Sequence, residues 1–342
     1  MPALVAVCVL YLTGCAFSKT TDKLESAYES IEGGDYDGAL AFLTAALDDG
    51  EDERLIKRAQ GIAYLGQGEY ANAIAAFEEC LSLSSGIVAG IDYDVNYYLA
   101  SAYCKNNNVD EAIKIYDAVL NMKPEEVDAL YLRGILYARK GDLDSAIDNF
   151  NKAINLRPED YDMLIQIYSI LENNGYKEIG LSYLQAAMEN GTKKMSNYEK
   201  GQISFYLEDY ESARTYFEKA KDERGSDAVI FLGKTYEVIG DLNYAISVYS
   251  GYITSGNESP EVLNQMGLCK MRLGDYDGAL TAFRQALKIE DNKIVKELKF
   301  NEIAACEYVG SYTEACSLLE SYMREYPDDK KAKREYKFLK TR

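Results

Sequence analysis

The sequence contains no histidine among its 342 residues. Without histidine the chain lacks the commonest general base, the Ser-His and Cys-His nucleophile pairs, and metal sites that use imidazole. It also has no C-x-x-C pair and no G-x-x-x-x-G-K-[ST] loop, the usual signals for cysteine metal sites and phosphate-binding loops. Adjacent acidic pairs such as Glu125-Glu126 do not converge on one substrate, because neighbouring residues on a helix point about 100° apart. The sequence therefore predicts no catalytic, cofactor or metal site and no enzymatic activity.

Basic residues are scarce relative to acidic ones. The chain has 37 Lys and Arg against 56 Asp and Glu, which gives a formal net charge of −19 at pH 7. Nucleic acid requires a basic surface, so neither nucleic acid nor another polyanion is an expected partner of the chain as a whole. The acidic residues are spread along the chain, a distribution typical of a well-solvated surface.

The last residues reverse this balance. Residues 330–342 contain seven Lys and Arg and one acidic residue, Glu335. One interpretation is contact with anionic lipid or a cell-wall polymer. The other is an ordinary solvated helix whose basic residues lie near its C-terminal dipole.

A short turn followed by a small residue that opens a helix recurs nine times. Successive small residues, here called anchors, are 32 to 39 residues apart. The anchors are Ala39, Ala73, Ala112, Ala146, Gly180, Ala213, Ala245, Ala279 and Ala315. A period near 34 residues predicts stacked helical hairpins. The 39-residue interval includes an insertion at Ser84–Gly90, interpreted as a longer loop, an extended helix or a partner-binding loop.

Other positions keep a fixed distance from the anchor. Twelve residues before it the chain places Gly or Ala, except at Tyr168 and Ile303, and four residues after it an aromatic residue is common. The rings are expected to fill the space that the small residues leave. Pro124, Pro158 and Pro327 follow their anchors by twelve residues, where a missing N–H ends one hairpin.

These positions in register resemble the tetratricopeptide repeat, although the tryptophan usual in that family is absent from this chain. The resemblance implies an all-α fold, a right-handed superhelical solenoid of about nine helix-turn-helix repeats with a concave wall formed mostly by first helices. The expected repeats span residues 20–53, 54–87, 93–126, 127–160, 161–193, 194–225, 226–259, 260–293 and 296–329. Because no linker rich in Pro, Gly or Ser interrupts them, residues 15–329 are interpreted as one domain, followed by a capping helix at 330–342.

The first fifteen residues carry a separate pattern. Residues 3–12 are an apolar run too short to span a bilayer, followed by Leu12-Thr13-Gly14-Cys15. This ending resembles the lipobox of bacterial lipoproteins, although the basic residues that normally precede the apolar run are missing. The resemblance implies a signal peptide at residues 1–14, a lipid on Cys15, and anchoring to the extracytoplasmic face of the cell membrane. The alternative is that residues 3–12 form an extra buried helix.

Five cysteines follow Cys15, and an odd number cannot be fully paired within one chain. They are Cys80, Cys104, Cys269, Cys306 and Cys316. The favoured interpretation is small buried apolar residues. A Cys306–Cys316 disulfide is the alternative.

Residues on the first helices that are out of phase with the packing positions are expected to line the concave wall. The candidates are Tyr97, Ser101, Lys105, Tyr131, Arg139, Tyr198, Gln202, Phe205, Lys234, Asn264 and Arg272. Tyrosine combines an apolar ring with a polar hydroxyl and is favoured at protein interfaces. The groove is therefore expected to bind an extended peptide or a helix of another protein. For each ring the alternative is packing between repeats.

The Lys and Asn clamp by which some members of the family bind chaperone C-termini is not reproduced in these groove positions. The sequence thus predicts a non-enzymatic protein-binding or peptide-binding scaffold, anchored to the membrane by lipid and assisting an envelope complex. The alternative is a lipoprotein that binds a glycan or polymer, or assists an enzyme, with rings such as Tyr198 stacking on sugars.

Overall fold

A computed structural model describes residues 22–85, 90–191 and 193–340. Within these ranges the chain forms 19 α-helices and no strand. The helices are α1 Asp22–Glu32, α2 Tyr36–Asp48, α3 Glu53–Gln67, α4 Tyr70–Ser82, α5 Gly90–Lys105, α6 Val109–Met122, α7 Val127–Lys140, α8 Leu143–Leu156, α9 Tyr161–Asn173, α10 Lys177–Gly191, α11 Asn197–Tyr206, α12 Tyr210–Arg224, α13 Ser226–Val238, α14 Leu242–Thr254, α15 Pro260–Leu273, α16 Tyr276–Ala286, α17 Val295–Val309, α18 Tyr312–Glu325 and α19 Lys330–Leu339. The predicted all-α fold, a solenoid of helical hairpins, is confirmed.

Two sequence predictions concern residues outside the described ranges. The apolar run and the lipobox with Cys15 lie outside the described residues, as do residues 86–89 of the insertion. On either side of those four residues, α4 ends at Ser82 and α5 begins at Gly90. None of the helices in the described ranges has the length and apolar character needed to cross a bilayer.

The chain divides into two compact units, residues 1–180 (unit 1) and residues 181–342 (unit 2), and the boundary falls within α10. In each unit consecutive helices pack against each other as hairpins. First helices of neighbouring hairpins also touch, as α3 touches α5 in unit 1 and α13 touches α15 in unit 2. Each unit therefore has a wall made of first helices.

The turns inside the hairpins follow one local rule. Gly141 and Gly274 end α7 and α15 in the left-handed conformation, with φ of 80° and 81°, which glycine adopts without steric cost. An aspartate follows each glycine and caps the helix that begins at the next residue. Asp142 accepts a hydrogen bond from the Ser145 N–H at 3.2 Å, and Asp275 accepts one from the Gly278 N–H at 3.0 Å. This is the turn that recurs in the sequence.

In most hairpins the core joins a small residue to a large ring, as predicted. A Cβ atom added at the residue twelve before the anchor would lie within 3.0 Å of a ring on the second helix, closer than real Cβ atoms come. The pairs are Gly61 with Phe77, Gly134 with Phe150, Gly201 with Phe217, Gly233 with Tyr249 and Gly267 with Phe283. All five rings are fully buried. Only glycine lets the two helices approach this closely.

The two exceptions to the small-residue rule have different solutions. On α9 the large residue is Tyr168, and the small one is its anchor, Gly180, where a Cβ would meet Tyr168 Cδ2 at 3.0 Å and Tyr168 Cα at 3.1 Å. The sizes of the two partners are thus exchanged. In α17 and α18 the larger Ile303 is accompanied by Leu319 instead of an aromatic residue, and both are buried.

The last helix, α19, packs against α18 through Ala332 and Leu339, which are both buried. Asp329 caps it by accepting from the Lys331 and Ala332 N–H groups at 2.9 and 3.1 Å. The five cysteines in the described residues are all free, so the alternative of a Cys306–Cys316 disulfide is not observed.

Candidate binding surfaces

Tyr131 on α7 is engaged within unit 1. It is only 7% exposed, and its ring centroid lies 6.4 Å from that of Phe150. Its hydroxyl donates to Gln166 Oε1 on α9 at 2.8 Å. Burial, together with the nearby Asp160 carboxylate, raises the pKa of the Tyr131 hydroxyl. Tyr131 therefore connects α7 to α9. This agrees with the alternative considered for each ring, in which the ring packs between repeats.

Two further groove candidates of unit 1 lie on α5. Ser101 is buried, and the half-buried Tyr97 ring lies 5.8 Å from the ring of Tyr116 on α6. These contacts leave part of the Tyr97 side chain accessible to solvent. The contact of Tyr97 and Ser101 with a ligand stays a prediction.

Lys105 and Arg139 are the cations that unit 1 keeps accessible on its wall. They occupy the same place in successive hairpins, seven residues before the anchor. Lys105 is half-buried with its ammonium 5.9 Å from the Tyr70 ring centroid, and Arg139 is exposed. In the part of the chain that the structure describes, neither forms an ion pair with a carboxylate. Both charges thus remain available to a ligand.

In unit 2 the groove candidates begin with an aromatic cluster. Tyr198 is 6% exposed, its ring lies 6.0 Å from Phe217 and 5.9 Å from Phe231, and the Arg224 guanidinium lies 4.6 Å from its centroid. Phe205 is half-buried, with its ring 5.7 Å from that of Phe231. Both rings pack mainly between helices, and Tyr198 offers little surface for stacking on a ligand.

Gln202 and Lys234 lie beside this cluster. Gln202 is 9% exposed, and its buried side-chain oxygen has no hydrogen-bond partner among the described residues. The half-buried Lys234 ammonium lies 5.8 Å from the Phe231 ring centroid. Both stay candidates for contact with a ligand.

Asn264 and Arg272 on α15 are occupied by neighbouring side chains. Asn264 is 2% exposed, donates to Glu297 at 2.8 Å and accepts from Asn301 at 2.8 Å. The exposed Arg272 guanidinium donates to Glu237 on α13 at 2.8 Å. These bonds connect first helices of adjacent hairpins, so each residue has a role in packing whether or not it contacts a ligand.

The two units differ in charge. Unit 1 has 14 Lys and Arg against 30 Asp and Glu, a net charge of −16, whereas unit 2 has 23 against 26, a net charge of −3. The acidic residues are spread over both units, as the sequence indicated. It is the cations that are distributed unevenly.

The units also differ where the first helices end. We call the residues seven and six before each anchor the turn edge. In unit 1 the turn edge is mostly polar: Glu32-Gly33, Gly66-Gln67, Lys105-Asn106, Arg139-Lys140 and Asn173-Asn174. In unit 2 it is mostly apolar: Tyr206-Leu207, Val238-Ile239, Arg272-Leu273 and Tyr308-Val309.

Four apolar residues of the unit 2 turn edge are accessible to solvent. Val238, Ile239, Leu273 and Tyr308 are 52%, 50%, 45% and 63% exposed. Tyr308 stacks on Tyr276 with ring centroids 4.8 Å apart, which fixes its orientation. Large contiguous apolar patches are typical of protein-interaction sites, and these four residues lie at the same end of successive first helices. We call these four residues the apolar turn edge. These four residues were not predicted from the sequence, because only the cations of this column, Lys105, Arg139 and Arg272, were singled out as candidates.

Burial affects four of the five cysteine thiols in the described residues. Burial raises the pKa of the Cys80, Cys104 and Cys306 thiols to about 11 and that of Cys269 to about 12, so these thiols stay protonated at neutral pH. No group of three or more acidic or cysteine side chains in the described ranges is placed to hold a metal ion.

Family models identify the repeats. Models of the tetratricopeptide repeat match residues 24–86, 97–161, 196–225 and 260–293, together 192 of the 342 residues. No curated protein matches the sequence.

Solved structures are similar in fold. Yeast Tom70 is 18% identical, with a TM-score of 0.53, and the match covers 93% of this chain and 80% of Tom70. A tetratricopeptide repeat protein from Parabacteroides merdae is 17% identical, with a TM-score of 0.46 and coverage of 82% and 98%. A MamA structure is 22% identical, with a TM-score of 0.42 and coverage of 50% and 91%. The repeat matches cover more than half of the chain, and the chain is therefore a member of the tetratricopeptide-repeat family.

Proposed function

We propose that this protein is a non-enzymatic scaffold that binds another protein, and that a lipid on Cys15 holds it at the extracytoplasmic face of a bacterial membrane, where it assists an envelope complex. The observation that carries the binding function is the apolar turn edge of unit 2. The lipobox sequence Leu12-Thr13-Gly14-Cys15 supports the anchor.

The apolar turn edge suits a protein partner because its residues come from three successive hairpins. Val238 ends α13 and Ile239 follows it, Leu273 ends α15 and Tyr308 lies near the end of α17. The Arg272–Glu237 ion pair links α15 to α13, and the Tyr276–Tyr308 stack links α16 to α17. Because these contacts hold the hairpins together, the edge is a preformed surface, and a preformed surface loses little conformational entropy on binding.

The binding function is tested by replacing Val238, Leu273 and Tyr308 with Gln. The matched control replaces Phe42, Leu47 and Leu156 with Gln, because these residues of unit 1 are 42%, 39% and 40% exposed and do not share one position in the repeat. Partners are cross-linked in the envelope of a producing bacterium, recovered with the protein, and quantified by mass spectrometry. We expect the first variant to lose at least about 10-fold of a specific partner, because a single hot spot among the three residues, at about 2 kcal/mol, already lowers the affinity by more than about 10-fold.

The control variant is expected to recover the partner at the wild-type level. Equal recovery with both variants would contradict the role of the turn edge. Both proteins should keep the helical circular-dichroism spectrum of the wild type, because all six positions lie on the surface.

The anchor is tested separately by the mass of the mature N-terminus in a bacterium that lipidates exported proteins. An acylated Cys15 in the membrane fraction is the expected result, and Cys15→Ser should release the protein from that fraction. An unprocessed N-terminus at Met1 would contradict the anchor without affecting the test of the turn edge.

The alternative of glycan binding gains no support from the candidate ring. Tyr198 was expected to stack on sugars, but with 6% exposure and two rings packed against it, it presents little open face. We therefore keep protein binding as the proposed function.

A further inference from the structure

We propose that the exposed face of α19 is a docking surface for the anionic headgroups of membrane lipids. This inference does not rest on the lipid at Cys15, because it concerns the opposite end of the chain and is testable on unacylated protein. The proposed contact is peripheral, with the helix lying on the membrane surface.

The composition of this face is the first observation. Seven residues between 330 and 340 are exposed, and six of them are cations. They are Lys330, Lys331, Lys333, Arg334, Lys337, Phe338 and Lys340. At 100° per residue they cover an arc of about 180°, and the buried Ala332 and Leu339 lie on the opposite side. The one acidic residue of the helix, Glu335, is half-buried.

The second observation is that these six cations have no acidic partner. Across the described ranges no carboxylate lies within ion-pair distance of any of them. The Lys340 ammonium lies 4.4 Å from the centroid of the Tyr336 ring. Basic residues close by behave differently: Lys296 pairs with Asp329 at 3.8 Å and Lys299 with Glu325 at 2.5 Å. Within the described residues, the charge of α19 is therefore not neutralised by ion pairs.

The third observation is that α19 is held in place. Asp329 caps its first turn, Ala332 and Leu339 are buried, and Tyr336 bonds to Glu320 on α18. The cations thus form a fixed surface about 15 Å long. Binding to this surface does not require the helix to fold first.

Phe338 indicates which polyanion fits. It is 45% exposed and follows Arg334 by one helical turn, so it lies on the same face of the helix as the cations. A lipid surface offers both negative headgroups and an apolar phase for such a ring. The acidic surface of a protein such as unit 1, whose turn edge is polar, offers carboxylates but no continuous apolar phase.

The expected electrostatic free energies are consistent with binding of α19 to an anionic membrane. Each Lys or Arg close to an anionic membrane contributes about 1 kcal/mol. The acidic remainder of the chain opposes the contact only weakly, because at physiological ionic strength charges more than about 8 Å from the surface are screened. The resulting binding is weak and salt-dependent, and a polybasic surface of this kind is the usual second signal beside a lipid chain.

The test uses the full chain with Cys15→Ser, purified without acylation, and flotation with vesicles. One set of vesicles contains phosphatidylcholine alone and the other contains added phosphatidylglycerol. The variant replaces Lys331, Lys333 and Lys337 with Gln. The control replaces Lys219, Lys288 and Lys293, three exposed lysines of unit 2 without an acidic partner among the described residues, with Gln.

We expect binding only to the vesicles with phosphatidylglycerol, with an about 100-fold weaker partition for the variant and no change for the control. Phe338→Ser should weaken binding less than the triple change. High salt should abolish it. Equal binding of variant and control, or equal binding to both kinds of vesicle, would overturn the proposal.

Sedimentation of the same proteins tests whether a second copy of this chain, rather than lipid, binds the exposed face of α19. If the parent chain self-associates through α19 and the variant does not, while neither binds vesicles, then the face belongs to a second copy and the lipid proposal is wrong. Circular dichroism serves as the folding control, since the three substitutions leave the buried Ala332 and Leu339 unchanged.

Discussion

Units 1 and 2 are built on the same core and differ in their surfaces. Gly61 packs against Phe77 in unit 1 as Gly267 packs against Phe283 in unit 2. Yet unit 1 carries a net charge of −16 and a polar turn edge, whereas unit 2 carries −3 and an apolar turn edge. The repeat therefore constrains which residues face inward, and it leaves the outward positions free to differ.

This difference indicates where specific binding is encoded. A core residue must match its partner on the next helix, so the same pair recurs along the chain. An exposed residue has no such constraint, and a run of apolar residues at one exposed column is then a feature that the fold does not require. One buried ion pair of unit 1 and one exposed ion pair of unit 2 give the largest expected effect.

Arg58 in unit 1 is the centre of a buried polar cluster. It is 8% exposed, its Nε donates to Asp94 at 2.5 Å and its Nη1 donates to the Tyr28 hydroxyl at 3.1 Å. Burial raises the pKa of Tyr28, although the Arg58 charge opposes the change. Lys299 in unit 2 forms an ion pair of the same length with Glu325, but both side chains are much more exposed.

We expect Arg58→Met to lower the free energy of unfolding by about 3 kcal/mol, because it leaves Asp94 and Tyr28 without their buried partner. Lys299→Met should lower it by less than about 1 kcal/mol, since water solvates the remaining carboxylate. Urea unfolding followed by circular dichroism measures both. Similar losses for the two variants would show that the burial of an ion pair does not determine how much its loss destabilises this protein.

The second prediction tests whether the two cores are equivalent. Gly61→Ala and Gly267→Ala each place a methyl group against a buried ring, so each should destabilise the protein by about 2 kcal/mol. Gly251 on α14 is the control, because a Cβ there meets no atom within 4 Å. Gly251→Ala should stabilise by about 0.5 to 1 kcal/mol through higher helix propensity.

A rescue experiment makes this test more specific. The first hairpin has Ala27 and Leu43 at the positions of Gly61 and Phe77, and both are buried. Phe77→Leu should therefore cost less in the Gly61→Ala background than in the wild type. Strictly additive losses would show that the two positions do not share one space.

The smallest expected effect concerns helix caps at different places in the chain. Asp52 begins α3 in unit 1, with bonds from the Arg54 and Leu55 N–H groups at 3.0 and 3.2 Å, and Asp329 begins α19 in the same way. Asp52→Ala and Asp329→Ala should each cost about 1 kcal/mol. Hydrogen exchange should show faster opening of α19 in the second variant, while α3, with a hairpin on either side, remains protected.

The pH dependence of the Asp329 cap has a defined sign. Hydrogen bonds from the Ala332 N–H and the Tyr322 hydroxyl lower the pKa of Asp329 below its usual 3.8. The folded-state pKa is thus the lower one, so the stabilisation is complete above about pH 4 and is lost as the pH falls through the folded-state pKa. After division by the intrinsic exchange rate, which itself falls on acidification, the protection of α19 should decrease as the pH is lowered in the wild type and change less in Asp329→Ala.

Most of the fold followed from the sequence because the signal was periodic. The anchors, the residues twelve before them and the rings four after them predicted the hairpins and their internal packing. The exchange of sizes between Tyr168 and Gly180 was not predicted from the sequence. The pattern shows a large residue at one position and glycine at the other, but only the structure shows that these two residues are in contact. Of the groove candidates, Tyr131 and Tyr198 could not be assigned from phase alone, since a ring at the rim of a groove is long enough to turn inward.

The sequence by itself determined the family, the hairpin period, the small and large partners of the core and the acidic character of the chain, because these properties reside in residue type and spacing. Only the tertiary structure decided which side chains remain accessible. Asn264 and Arg272 bond to the neighbouring hairpin, whereas Lys105 and Arg139 keep their charges free of carboxylates, and Val238, Leu273 and Tyr308 stay exposed. The physical reason is that accessibility depends on what the adjacent hairpin places opposite each residue, and spacing within one hairpin does not record that.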